Sequence, residues 1–174
     1  MKKLQFLIYS LSIFLLVTIS CSDGQRPRER VDEFATDSIS PTAAMIPYDP
    51  QGNHEVVSVS FNGVAFNLLW DTGCSMTTIP VTDFIRMVNE DKITDYDFSG
   101  TAAAVIADGS TVESFVFNIA TVSLPNLKGK PVTLHDVHIM VSPNPNASRL
   151  LGKNVIDQLG AYRRDEKESC IIIE

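Results

Sequence analysis

The sequence predicts a mainly β domain with one or two short helices, and three stretches carry that expectation. In the first, the apolar-rich runs Val56–Phe61 and Val64–Trp70 are joined by Asn62-Gly63, the pair that closes a two-residue hairpin because both positions accept positive φ. In the second, Thr101–Ile106 and Thr111–Phe117 flank Ala107-Asp108-Gly109-Ser110, where Asp-Gly again marks a hairpin tip. In the third, the short apolar run Leu150-Leu151 ends at Gly152 and leads into a helix-like segment closed by Gly160.

Taken in order, the chain opens with Lys2-Lys3, an apolar stretch from Leu4 to Val17, and small residues before Cys21. That stretch is shorter than the ~20 residues a membrane span needs, so residues 1–20 read as a secretory signal. Thr18-Ile19-Ser20-Cys21 resembles a bacterial lipobox, with Thr18 where leucine is usual, and would make Cys21 a lipidated N-terminus. Ordinary signal cleavage is the alternative. Both readings export the chain, and the first places it on a bacterial cell envelope by a lipid anchor.

Removing residues 1–20 from the 174 leaves 154, enough for one domain with a core. The formal charge of −7 becomes −9 once Lys2 and Lys3 are gone. No basic stripe is present, which argues against nucleic-acid binding, since that requires clustered cations to neutralise phosphates. Residues 21–53 are polar, with Pro27, Pro41, Pro47 and Pro50, and read as a flexible tether ahead of a domain over 54–174. Ala44–Tyr48 within it could instead add an edge strand, since short edge strands tolerate proline.

The hairpin's second strand ends in Leu68-Leu69-Trp70-Asp71-Thr72-Gly73-Cys74-Ser75. An apolar strand there delivers a carboxylate to a tight turn, which Gly73 permits because it has no Cβ. The plain structural role for such an aspartate is to accept hydrogen bonds from its own turn. Met76–Ile79 reads as a short strand stopped by Pro80, and Thr82 as a cap for a helix through Val88 with Asp83 in its first turn. Further strands are expected over 117–124 and 132–141. Cys170–Glu174 is expected to be a terminal strand, paired back on residues 160–162 or lying at a dimer seam.

The hairpin leading into Asp71-Thr72-Gly73, the glycine-tipped hairpin after it and the apolar-apolar-Gly152 strand before a helix together resemble the retropepsin-like aspartic proteases. The resemblance spans roughly Val56 to Glu174. Cys74 stands where Ala or Ser is usual and Trp70 where an aliphatic residue is commoner, and neither change removes a catalytic group. The resemblance implies a single-lobe closed β-barrel or sandwich with Ala107-Asp108-Gly109-Ser110 at the tip of a flap over the substrate. It implies an aspartic endopeptidase with Asp71 as catalytic carboxylate, Thr72 and Gly73 supporting the catalytic loop, and Gly152 packed beside it. No cofactor and no metal are implied. Since the chain holds one Asp-Thr-Gly and the chemistry needs two facing carboxylates, the resemblance further implies a homodimer acting on peptide or protein substrates. A non-catalytic peptide-binding or scaffold lipoprotein with the same fold is the alternative.

Other chemistries fit the sequence less well. His135 and His138, three apart on an expected strand, point to opposite faces and suit no metal. Gly152-Lys153-Asn154 lacks the earlier glycine and the following Ser or Thr of a phosphate loop. Cys74 has no histidine near it in sequence to act as base and reads as a small buried thiol. Export permits a Cys74–Cys170 disulfide, but nothing in the sequence brings the two together, and they read as free.

Overall fold

The computed structural model describes residues 44–105 and 109–174. The chain divides into two units, Met1–Phe34 and Ala35–Glu174, and all described residues belong to the second. Cys21 and the signal and lipobox residues lie outside the described residues, as do Ala107 and Asp108 of the expected flap tip.

Among the described residues ten strands and two short α-helices make up the domain, the mainly β fold with one or two short helices that was expected. The strands are β1 (Met45–Gln51), β2 (His54–Phe61), β3 (Val64–Trp70), β4 (Thr78–Pro80) and β5 (Phe98–Val105), then β6 (Thr111–Leu124), β7 (Val132–Ser142), β8 (Leu150–Leu151), β9 (Tyr162–Asp165) and β10 (Cys170–Ile173). Helix α1 is Val81–Asn89 and α2 is Lys153–Ile156, with single 3-10 turns at Asp95–Asp97 and Asp157–Leu159. The sheet order is β5-β6-β7-β4-β8-β3-β2-β1-β10-β9, and it curls back on itself where β6 also pairs with β2.

The Asn62-Gly63 turn forms as expected, with φ of 48° and 91°. It sets the register Val57↔Leu68, Val59↔Phe66 and Phe61↔Val64, so the apolar residues of both strands share one face and pair across it. Val57, Val59, Phe61 and Leu68 are fully buried there, each contributing on the order of 1.5–3 kcal/mol through burial. The turn is also pinned from outside, because Thr121 N–H donates to Asn62 Oδ1 and Asn62 N–H to Thr121 O, both at 2.9 Å.

Several expectations need correction. The tether does not extend to Asn53. Met45–Gln51 is a strand, and it lies between β2 and β10 rather than at an edge. Its first half holds Ile46, fully buried against the core, and Met45 N–H is tied to Asn126 Oδ1. The prolines at 47 and 50 had argued for a coil, yet Pro47 sits in the ladder opposite Cys170 and Pro50 opposite Glu55. Residues 111–124 form one long strand, not two. Helix α1 begins after Pro80 with no side-chain cap, and Thr82 instead directs its hydroxyl to Pro145 O at 3.4 Å. Strand β10 pairs with β9 (Cys170↔Asp165 to Ile173↔Tyr162), so of the two expected placements for the terminal strand the fold shows the hairpin, with its turn shorter than expected.

Candidate active site

The site grows from the end of β3. Strand β8 lies parallel to β3, with Leu69↔Leu150 and Trp70↔Leu151, and antiparallel to β4 at Thr78↔Leu150. The chain therefore leaves β3 at Asp71, loops out through residues 72–77 and returns as β4 on the far side of β8. Asp71 N–H continues the ladder by donating to Leu151 O at 3.0 Å, which fixes the backbone from which the carboxylate projects. Asp71 is half-buried, while Thr72, Gly73 and Ser75 are exposed. Gly73 N–H donates to Asp71 Oδ1 at 2.8 Å, and Cys74 N–H to Asp71 O at 3.3 Å. The carboxylate thus does what any turn aspartate does through one oxygen. Among the described residues no other donor reaches it.

The loop is held from behind by α2. Lys153 N–H donates to Cys74 O at 2.8 Å and Asn154 N–H to Ser75 O at 3.1 Å, so the first two helical amides find acceptors in the loop. Gly152 is where the two backbones cross. A Cβ built there would lie 2.5 Å from Met76 C and 2.7 Å from Thr77 N. Any side chain there would push into backbone.

Sequence reasoning missed the pair that locks this crossing. Thr77 is fully buried. Its hydroxyl donates to Asn154 Oδ1 at 2.9 Å and accepts from Gly152 N–H at 3.0 Å, while its amide donates to the same Oδ1 at 2.7 Å. Asn154 then donates through Nδ2 to His138 O at 2.7 Å. The available signal was a threonine just ahead of a short strand and an asparagine one residue past a helix start, neither of which has an obvious local partner.

Asp83 stands in the first turn of α1 as expected, but its partner was not foreseen: it is buried and forms a two-pronged ion pair with Arg149, Nη2 to Oδ1 at 2.9 Å and Nε to Oδ2. It ties α1 to the residue before β8, whose carbonyl accepts from Leu69 N–H at 2.9 Å. The Asp83 carboxylate beside the Arg149 guanidinium holds the latter above its usual range. Cys74 points inward, its thiol donating to Met76 O at 2.9 Å. Burial pushes that thiol up, outweighing this hydrogen bond, and the Asp71 charge adds to the rise. It is a poor nucleophile, in keeping with the reading of a small packed thiol. Cys74 and Cys170 are both unpaired.

The second predicted element is the β5–β6 hairpin, in register from Gly100↔Val116 to Val105↔Thr111. Gly109, with φ of 83°, and Ser110 are exposed at its end. The fold therefore brings Asp71, Thr72, Gly73 and Gly152 together at one crossing and sets Gly109 and Ser110 on a separate arm.

The family of gag-polyprotein putative aspartyl proteases matches residues 57–158, from the middle of β2 to the 3-10 turn after α2. The chain belongs to this aspartyl protease family. The match takes in Asp71-Thr72-Gly73, the β5–β6 hairpin and Gly152, and leaves β1, β9 and β10 outside. Among solved structures, a retropepsin-like aspartic protease from Rickettsia conorii superposes with a TM-score of 0.52 at 17% identity, covering 76% of this chain and 98% of that one. At that identity the likeness shows the fold, and it is the retropepsin-like fold. No curated protein matches the chain.

Proposed function

We propose that this member of the aspartyl protease family is an aspartic endopeptidase whose active species is a homodimer. The observation that carries the proposal is the Asp71 turn: a half-buried carboxylate at a strand end, with the loop behind it clamped by Gly152, Thr77 and Asn154. The turn takes up one carboxylate oxygen, Oδ1, and leaves Oδ2 for chemistry. One carboxylate per chain cannot both hold and activate a water. Two, one from each chain, can share a proton because both cannot ionise at close range, as in aspartic proteases generally. The ionised Asp71 takes a proton from water as the water attacks the peptide carbonyl. The protonated Asp71 of the other chain supports the developing oxyanion. Exposed Thr72 and Gly73 leave the turn open to its symmetry mate across a two-fold axis. The hairpin ending in Ala107–Ser110 would close over the peptide.

The same reading extends to the N-terminus. Residues 1–20 act as a signal and Cys21 carries the lipid, so the peptidase works at a bacterial cell envelope. Mass spectrometry of the mature N-terminus tests that part. The catalytic part is tested with wild type and Asp71→Asn on a mixed peptide library. The amide is nearly isosteric, so cleavage should vanish while the fold stays. Specific activity of wild type should also fall on dilution below the dimer dissociation constant, and excess Asp71→Asn should poison it through mixed dimers. Full activity of the mutant, or of a chain shown by sedimentation to be monomeric, would remove the proposal.

A further inference from the structure

The exposed large apolar side chains of this domain are not scattered. Seven are found among the described residues, and five of them, Ile85, Val88, Tyr96, Phe98 and Phe115, lie on α1, the 3-10 turn after it and the base of the β5–β6 hairpin. Scattered singles would need no explanation, but a concentration of this kind marks an interaction surface. Between these elements runs an open cleft of about 410 Å³. One wall is α1, where Val81 and Phe84 line the cleft three positions apart on one stripe of the helix. The floor is aromatic. The Phe117 ring lies 4.3 Å from that of Phe84 and 5.4 Å from that of Phe98, and Phe98 and Phe115 are 6.4 Å apart.

The chain between α1 and β5 is acidic. Residues 89–97 hold Glu90, Asp91, Asp95 and Asp97 against the single cation Lys92. Glu90 is paired with Arg86, and Asp97 caps its own turn through Thr94. Asp95 lines the cleft itself, and among the described residues no cation pairs with it. A carboxylate at the mouth of a cleft floored with phenylalanine rings suits an arginine or lysine twice over, by charge and by the ring faces. The aromatic floor suits an apolar side chain next to it in sequence. Anionic lipid and nucleic acid are disfavoured by the same carboxylate. A second copy docked here by two-fold symmetry would bring the same acidic stretch of each chain together.

We propose that this cleft is an exosite that binds a segment of the protein substrate, remote from the cleaved bond, in which an apolar residue adjoins arginine or lysine. Phe98, Phe115 and Phe117 belong to the two arms of the hairpin proposed as the flap, so a segment seated there lies at the root of the element that closes on the substrate. The assignment to substrate rests on the peptidase reading, whereas peptide binding in the cleft does not.

The test therefore has two arms. In the first, the full chain carrying Asp71→Asn, which cuts nothing, is titrated with a fluorescein-labelled peptide containing Phe-Arg-Leu and with its Phe-Glu-Leu counterpart. Saturable binding of the arginine peptide is expected, weakened by salt and weakened about tenfold by Phe115→Ser or Asp95→Lys, with Asp95→Lys favouring the glutamate peptide instead. Absence of saturable binding, or equal binding by the variants, overturns the exosite. So does a change in sedimentation with unchanged peptide binding, which would make the cleft a contact between copies. In the second arm, a cleavable peptide is compared with the same peptide extended by Phe-Arg-Leu. The extension should lower KM about tenfold with kcat unchanged, and Asp95→Lys should remove that gain while leaving the unextended peptide alone. Binding in the first arm with no cleavage by wild type in the second would overturn the peptidase reading and the substrate assignment, and leave the cleft as a peptide site.

Discussion

Replacing Gly152 with alanine tests the crossing on which the site depends. The backbone there has φ of −90° and ψ of 174°, which alanine adopts freely. On conformational grounds alone the substitution would stabilise by about 0.4–1 kcal/mol, through the unfolded chain. Opposing this, the new Cβ would sit 2.5 Å from Met76 C and 2.8 Å from Met76 O, where ordinary contact begins near 3.4 Å, so about 0.9 Å is missing. The atoms in the way are backbone and cannot rotate aside. They are also held, because Thr77 is bonded to Asn154 and Ser75 O to the Asn154 amide. Overpacking of this kind costs roughly 1–3 kcal/mol, which exceeds the entropic gain. The expected net is a domain about 1–2 kcal/mol less stable in urea. The shift of nearly 1 Å is forced on the loop that carries Asp71, so kcat/KM should fall about 10²-fold at a temperature where the variant is fully folded. Unchanged stability together with unchanged cleavage would refute the packing argument and the role given to Gly152.

Asn154→Ala strips the Thr77 amide and hydroxyl of their shared acceptor in a fully buried setting. A loss of roughly 2–4 kcal/mol in urea unfolding is expected, and a loss below about 0.5 kcal/mol would show that the two donors find other partners. Both thiols are pushed above their ordinary value of 9.0, chiefly by burial, which favours the protonated form in the folded chain. Their contribution is therefore intact below that value and is lost as pH rises through and beyond it, so stability should decline on the alkaline side and Cys74→Ala with Cys170→Ala should flatten the decline. Deleting Cys170–Glu174 removes Cys170, Ile171 and Ile173, all fully buried. At about 1.5–3 kcal/mol for each isoleucine, and with Met45–Pro47 of β1 left without a partner strand, the loss takes up much of a typical domain's stability, so circular dichroism should show unfolding and not a folded monomer.

The parts of the fold legible in the sequence were those set by local chemistry. Asn62-Gly63 dictates its turn because only residues tolerant of positive φ fit there, and the alternation on either side then fixes which face is buried. Asp71 was legible for the same reason, as a carboxylate followed by a glycine at a strand end. What was not legible depends on partners far away in the chain. Met45–Gln51 carries two prolines that locally argue for coil, and its first half becomes a strand because β10, more than a hundred residues on, supplies the ladder for Met45–Pro47. Asp83 lies in the first turn of α1, where a negative charge is favourable. Its stronger partner is Arg149, sixty-six positions away, which no local rule reveals. Thr77 and Asn154 are separated by seventy-seven positions and became visible as a pair only once β8 had been laid between β3 and β4.

The position of β10 also limits how two chains can meet. It is hydrogen-bonded to β1 on one side and to β9 on the other, so its backbone has no free edge to offer a second copy. Among the described strands the free edges of the sheet are those of β5 and β9. Strand β5 belongs to the hairpin proposed to move over the substrate, and an edge locked into a dimer could not open. Strand β9 presents Arg163, Arg164 and Asp165, and charges along an edge oppose pairing with another sheet. A dimer that unites two Asp71 residues is therefore expected to join through the exposed turn at Thr72–Gly73 and its surroundings. The strength of its seam should depend on that loop's shape, and so on the Gly152 and Asn154 contacts that set it.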